Sequence, residues 1–222
     1  MIRVTLDRPW LIADLARPLR VLSWAPHGAG YVTARQIRWR EVRNADLTLG
    51  FDAERWFADQ MAAFPGAIGM MTSRDIGTCQ EAQATVEGVT AQCVATVGLT
   101  NGEAVGRRRV FHSGSFGTIN LAVATSSPLT RAAQLEALTI AVQARTAAVL
   151  AAGVAFDTGA VTGTGTDCIA LACPPGRRRY AGLHTPVAEA IGACVIAAVG
   201  AGAAAWKAWY AAEVAKAGQA AP

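Results

Sequence analysis

With 222 residues, 52% of them hydrophobic and only 16% charged, the chain can bury a core of its own, which excludes an intrinsically disordered segment. Its formal charge of +4 is scattered, and the triplets Arg107 to Arg109 and Arg177 to Arg179 lack interleaved aromatics, so two solvated turns are expected and no nucleic-acid partner. The five cysteines (Cys79, Cys93, Cys168, Cys173, Cys194) contain no CxxC pair, which excludes a disulfide framework and a zinc ribbon and fits reduced thiols.

In chain order, Asp7 and Arg8 precede any long apolar run, so no secretory leader and a cytoplasmic location are expected. Arg35 to Val42 alternates as a half-buried strand does, and Asp52 to Phe64 reads as a helix broken by Pro65 and Gly66. GMMTS (Gly69 to Ser73), with Asp75 beyond it, and VGLTNGEAVG (Val97 to Gly106), with Asn101, are Gly, Thr and Asn clusters at element ends. Met70 and Met71 have the character of core residues. Ala91 to Leu99 and Thr118 to Thr125 read as strands separated by a loop rich in Gly and Arg.

A long Ala/Leu-rich helix follows, with Ser127 as its cap and Pro128 at its first position, stopping at Gly153. Then come TGTGTD (Thr162 to Asp167), the strand-like run Cys168 to Cys173, a Pro/Gly/Arg loop and, from Pro186, a long Ala-rich helix. Ala190 to Trp206 is uncharged and approaches the length of a membrane span. Ala and Gly contribute little to insertion, and Glu189 and Lys207 bracket the run, so a buried core helix and no membrane partner are expected. Without repeats or composition breaks, the expectation is one domain over 1–222. Its class is α+β (mixed α/β), a layered sandwich with a central β-sheet flanked by long Ala-rich helices.

The strongest chemical signal is TGTGTD beside CIALAC. A glycine-rich turn next to a strand brings Thr162, Thr164, Thr166 and Asp167 together, with Gly163 and Gly165 allowing close backbone approach to a ligand. An ionised Asp could orient a water or act as general base; a tight turn bonded to its own backbone explains the same residue types. No P-loop Lys and no full dinucleotide fingerprint are present. In SGSFGTIN (Ser113 to Asn120), Asn120 could hold an amide or stabilise an oxyanion, or bond the local backbone. His184, in YAGLHTP, could protonate a departing amine, or be a loop histidine bonded to a carbonyl. His27 and His112 carry weaker forms of that argument. No HExxH or similar pair exists, so no protein-bound metal is expected.

GMMTS, VGLTNGEAVG, GTINLAV, the long helix, TGTGTDCIALA, YAGLHT and the closing Ala-rich helix, in this order, resemble the adenosylcobinamide amidohydrolase family of cobamide salvage. The resemblance spans about residues 20 to 207, with GTIN and TGTGTD its most specific parts. It implies hydrolysis of the amide joining the aminopropanol arm to the corrin ring, yielding adenosylcobyric acid for rebuilding; some members are similar in also cutting complete cobamides. On this reading a water, or Thr164 or Thr166, attacks the carbonyl with Asp167 as base. Asn120 stabilises the oxyanion, and His184 protonates the leaving amine. Gly117, Thr118, Thr162, Gly163, Gly165, Asn101, Met71 and Thr72 are the expected substrate rim. No cofactor of the protein's own is expected: cobalt arrives with the corrinoid, and His27 is a candidate ligand to it from below. Two other readings stay open, a phosphorylated metabolite held by the Gly/Thr loop and the Arg triplets, and a non-catalytic corrinoid carrier. The terminal helix, with Trp206, Trp209 and Tyr210, is a surface on which a homo-oligomer could pack.

Overall fold

The computed structural model describes residues 1–43, 50–107 and 117–219, without the side chains of 217–219. Arg108, Arg109, His112 and Ser113 to Phe116 therefore lie outside the described residues. The elements are β1 (Arg3–Asp7), β2 (Trp10–Ser23), β3 (Gly30–Glu41), α1 (Ala53–Met61), β4 (Ile68–Thr72), β5 (Gln80–Val86), β6 (Val89–Val97) and the short β7 (Gly102–Glu103). They continue with β8 (Ile119–Thr125), α2 (Arg131–Ala151), the short β9 (Ala155–Phe156), β10 (Gly159–Ala160) and β11 (Gly163–Thr164), β12 (Cys168–Cys173) and α3 (Pro186–Gln219). The fold is α+β: a mixed sheet in the order β4-β3-β2-β12-β8-β6-β5, with β1 paired to β2, carries the helices.

Alternation sorts the central strands into two faces. Cys93 and Ala95 of β6, Leu121 and Val123 of β8, and Ile169 and Leu171 of β12 pack against α2 and α3. Val94, Ala122, Ala124, Ala170 and Ala172 point the other way, into a core completed by Leu11, Ile37, Trp39, Ile68 and Met70 of β2, β3 and β4. The sheet therefore curls over its own back. The Ile2 amide reaches the Gln92 side chain (2.8 Å), and the Asn120 amide reaches the Met71 carbonyl (2.7 Å), although these strands stand far apart in the strand order. Both long helices thus lie on one face, where the sequence suggested helices flanking the sheet.

The bend is written into β2. Pro18 cannot donate to the ladder, Ala16 takes a φ of 63°, and the β2–β3 register shifts between Asp14 and Leu19. The Asp14 carboxylate secures the bulge by accepting from the Ala16 amide (2.7 Å). On the curled-over face, alanine methyl groups leave room for a second β-layer that larger side chains would hold off.

The helix after β8 starts later than Ser127 and Pro128 suggest. Leu129 forms bridges with Pro175 and Arg178, and the Thr130 amide donates to the Arg178 carbonyl, so the chain stays extended through Leu129. Thr130 is the cap, its hydroxyl accepting from the Ala133 amide, and Ser127 is buried beneath the turn. The helix read over Asp52 to Phe64 is α1, with Asp52 as its cap, accepting from the Arg55 amide. α3 is long and apolar enough to cross a membrane by length and composition, but 56% of its most apolar stretch is buried in the fold, as in a core helix. Arg177 to Arg179 sit exposed in the loop before it.

Candidate functional site

The N-terminal ends of the parallel strands β8 and β12 lie side by side, with Asn120 opposite Cys168, and the C-terminal end of β4 passes over them. Between the layers opens a pocket of about 200 Å³. One wall is Met70, Met71, Thr72 and Ser73; the other is Gly117, Thr118, Asn120, Thr166 and Cys168; Pro26, Val42 and Ala53 close the sides. GMMTS, GTIN and the end of TGTGTD, far apart in sequence, thus meet at one opening.

Asn120 is buried and bonded to both layers. Its amide donates to the Met71 carbonyl (2.7 Å), and its carbonyl accepts from the Thr118 hydroxyl (3.2 Å). That hydroxyl also reaches the Thr166 carbonyl (2.8 Å), while the Thr166 hydroxyl donates to the Gly117 carbonyl (3.0 Å). These bonds commit the hydroxyl protons and leave oxygen lone pairs and one Asn120 amide hydrogen for a ligand.

Asp167 sits behind this wall. Oδ1 accepts from the Ile119 amide (2.9 Å) and the Thr164 hydroxyl (2.5 Å); Oδ2 accepts from the Thr164 amide (2.9 Å) and from the Arg145 guanidinium of α2. The two side chains of the ion pair are only 7% and 12% exposed. Burial pushes the Asp167 carboxyl up, while Arg145 and the Thr164 and Ile119 donors oppose the shift. A carboxylate offers about four lone-pair sites, and four donors occupy them here. The expected general base is therefore an anchor in this structure, tying the TGTGTD turn to β8 and α2. Gly163 follows from that arrangement, since a Cβ there would overlap both the Arg145 guanidinium and the Asp167 carboxylate.

The other expected residues divide sharply. Thr164 is spent on Asp167. The Thr162 hydroxyl accepts from the Val105 amide (2.8 Å) and reaches the Glu103 carbonyl (3.2 Å), stabilising the β7–β11 ribbon away from the pocket. Gly165 is exposed at the turn's tip. Asn101 is buried behind Gly117, whose ideal Cβ would come within 3.0 Å of the Asn101 carbonyl oxygen and 2.9 Å of the Thr100 amide nitrogen. His27 is half-buried beside pocket-lining Pro26, and its backbone pairs with Gly69.

His184 is not brought to this site. It is exposed in the turn before α3, three residues after Ala181, whose amide donates to Glu136 of α2 (2.6 Å). That turn follows Pro175 and Arg178, both bridged to Leu129 just beyond the C-terminal end of β8, whereas the pocket lies at the N-terminal end of that strand. The residues lining the pocket do not include His184.

Several pocket residues escaped sequence reasoning. Cys168 looked like one more strand residue, yet its alternation with Ala170 and Ala172 places it on the pocket face. Burial pushes its thiol up to about 12, partly opposed by the Ser23 hydroxyl 3.7 Å away. Trp24 clamps the rim, its indole N–H donating to the Asp167 carbonyl (2.7 Å).

A model of the adenosylcobinamide amidohydrolase family matches residues 2–211, a span containing every wall of the pocket. The chain belongs to this family. An adenosylcobinamide amidohydrolase from Halobacterium salinarum is 39% identical over 85 residues, covering 37% of this chain and 34% of that protein. The match thus spans about a third of the relative's length. Among solved structures, the PH0078 protein of Pyrococcus horikoshii OT3 is 9% identical with a TM-score of 0.41, over 90% of this chain and 78% of that one.

Proposed function

We propose that this family member hydrolyses the amide linking the aminopropanol arm to the corrin ring of adenosylcobinamide, in cobalamin salvage in the cytoplasm. Water adds to the amide carbonyl, the C–N bond breaks, and adenosylcobyric acid and aminopropanol leave. The observation that carries this reading is the convergence of GMMT, GTIN and Thr166 on one pocket within the span that matches the family.

The shape of the pocket suits the reaction. A recess of about 200 Å³ is too small for a whole corrinoid, so it would take the end of one arm while the ring stays at its mouth. The apolar side chains of Met70, Met71, Val42 and Pro26 exclude water around the arm, and the polar groups gather at Asn120. On this reading the remaining amide hydrogen of Asn120 donates to the oxyanion, with the Thr118 and Thr166 oxygens as acceptors for the amide N–H or the attacking water. Asp167 acts as a positioning residue that holds this wall through the Ile119 amide. The corrinoid brings its own cobalt, which is substrate here.

The phosphate reading loses its main support. The Thr164 amide that could cradle a phosphate already binds the chain's own Asp167 carboxylate. The test is incubation of purified protein with adenosylcobinamide, followed by chromatography and mass spectrometry. Adenosylcobyric acid and aminopropanol in equal amounts are expected. Tight binding with the substrate left intact would overturn hydrolysis in favour of a corrinoid carrier.

A further inference from the structure

Among the described residues, the outer face of the α2–α3 layer is uncovered and apolar. Leu135, Leu150 and Ile196 are 54%, 47% and 48% exposed, and a groove between the helices is lined by Ala148, Ala151, Ile196, Gly200 and Ala204. α3 has no charged residue between Glu189 and Lys207, both exposed, which stand about five helical turns apart and so on one stripe of the helix. Ile196 and Gly200 fall on the same stripe between them. A face with opposite charges at its two ends, equally distant from its middle, is complementary to itself under a two-fold rotation.

We propose that a second copy of this chain covers this face. The two α3 helices cross antiparallel about an axis between Ile196 and Gly200, so that Glu189 of each copy meets the partner's Lys207. Lys207 donates to the Ala152 carbonyl (2.8 Å), which leaves two ammonium donors for a carboxylate, and Glu189 forms no ion pair among the described residues. The same register sets Ile196 over the partner's Gly200, where a Cβ would meet nothing within 4 Å and the groove has room for a side chain. It also brings Val214, 54% exposed where α3 overhangs the body, to the partner's Leu183, which is 72% exposed. One rotation axis thereby pairs the charges, fills the groove and covers the apolar residues at both ends of the helix.

Sedimentation equilibrium of the full chain over a concentration series tests the arrangement, and a dimer is expected. Gly200→Phe has space to fold, so its thermal unfolding should match the wild type while the dimer is lost. Glu189→Lys and Lys207→Glu should each weaken dimerisation about tenfold through like-charge contacts, and the double exchange should restore it. A monomeric wild type, a dimer indifferent to Gly200→Phe, or a double exchange no tighter than either single change would overturn the proposal. So would a monomer that partitions onto phosphatidylcholine vesicles.

Discussion

On its helix-covered face the sheet presents Leu121, Val123, Ile169 and Leu171 to α2 and α3; on the other it presents Ala122, Ala124, Ala170 and Ala172 to its own curled strands. The large side chains fill the distance a helix layer requires, whereas the methyl groups let a second β-layer settle close. The pocket belongs to the second face. It opens where the alanine series gives way to Asn120 on β8 and Cys168 on β12, so the alternation that builds the core also delivers the polar groups of the site.

The comparison can be broken most severely at the anchor joining the two faces. Asp167→Ala leaves the Arg145 guanidinium buried without its partner and should cost about 3–5 kcal/mol in urea unfolding. Unchanged stability with activity lost would instead return Asp167 to the chemistry. Next in size, Asn120→Ala should slow adenosylcobinamide hydrolysis roughly 10²-fold. Its stability should fall by only about 1 kcal/mol, as read by turnover and denaturation on the same preparation.

Overpacking sharpens the contrast between the faces. Ala122→Leu, between the β-layers, should destabilise by about 1–3 kcal/mol, while Ala132→Leu on the exposed side of α2 should stay within about 0.5 kcal/mol in the same assay. The Cys168 thiol provides a pH signature. With its titration pushed up to about 12, the thiolate fraction keeps growing as pH rises. Its alkylation, followed by mass spectrometry, should therefore accelerate about tenfold per unit from pH 7 to 10, where an ordinary thiol levels off near pH 9. The smallest effect is expected at the far end of the sheet: His184→Ala should leave turnover within about twofold, because the residue is exposed and remote from the pocket.

The segments with strong local signals were readable in advance. β6, β8 and β12 are apolar runs rich in β-branched or small residues, and α2 and α3 are long Ala-rich stretches, the one stopping at Gly153 and the other starting at Pro186. β5 escaped because its alternation sets alanine against Gln, Glu and Thr, too weak a contrast to separate strand from loop. β1 and β2 escaped because Pro18 and the Asp14–Leu19 bulge interrupt the period just where the sheet bends. In the site, GMMTS, GTIN and Thr166 were legible as clusters of small polar residues at element ends.

The sequence by itself determined the α+β class, the principal helices and strands, the family, and the short list of motifs from which the pocket is made. The class and the elements rest on periodicity and residue type, which are local, and the family on a resemblance carried by the order of short motifs. Only the tertiary structure decided that both long helices share one face and that β4 folds over β8 to create the pocket. It alone placed Asp167 against Arg145 from a helix 22 residues earlier, and His184 at the opposite end of the sheet. Each of these depends on which strand lies beside which and on where the sheet curls, and such long-range pairings leave no periodic trace in the chain.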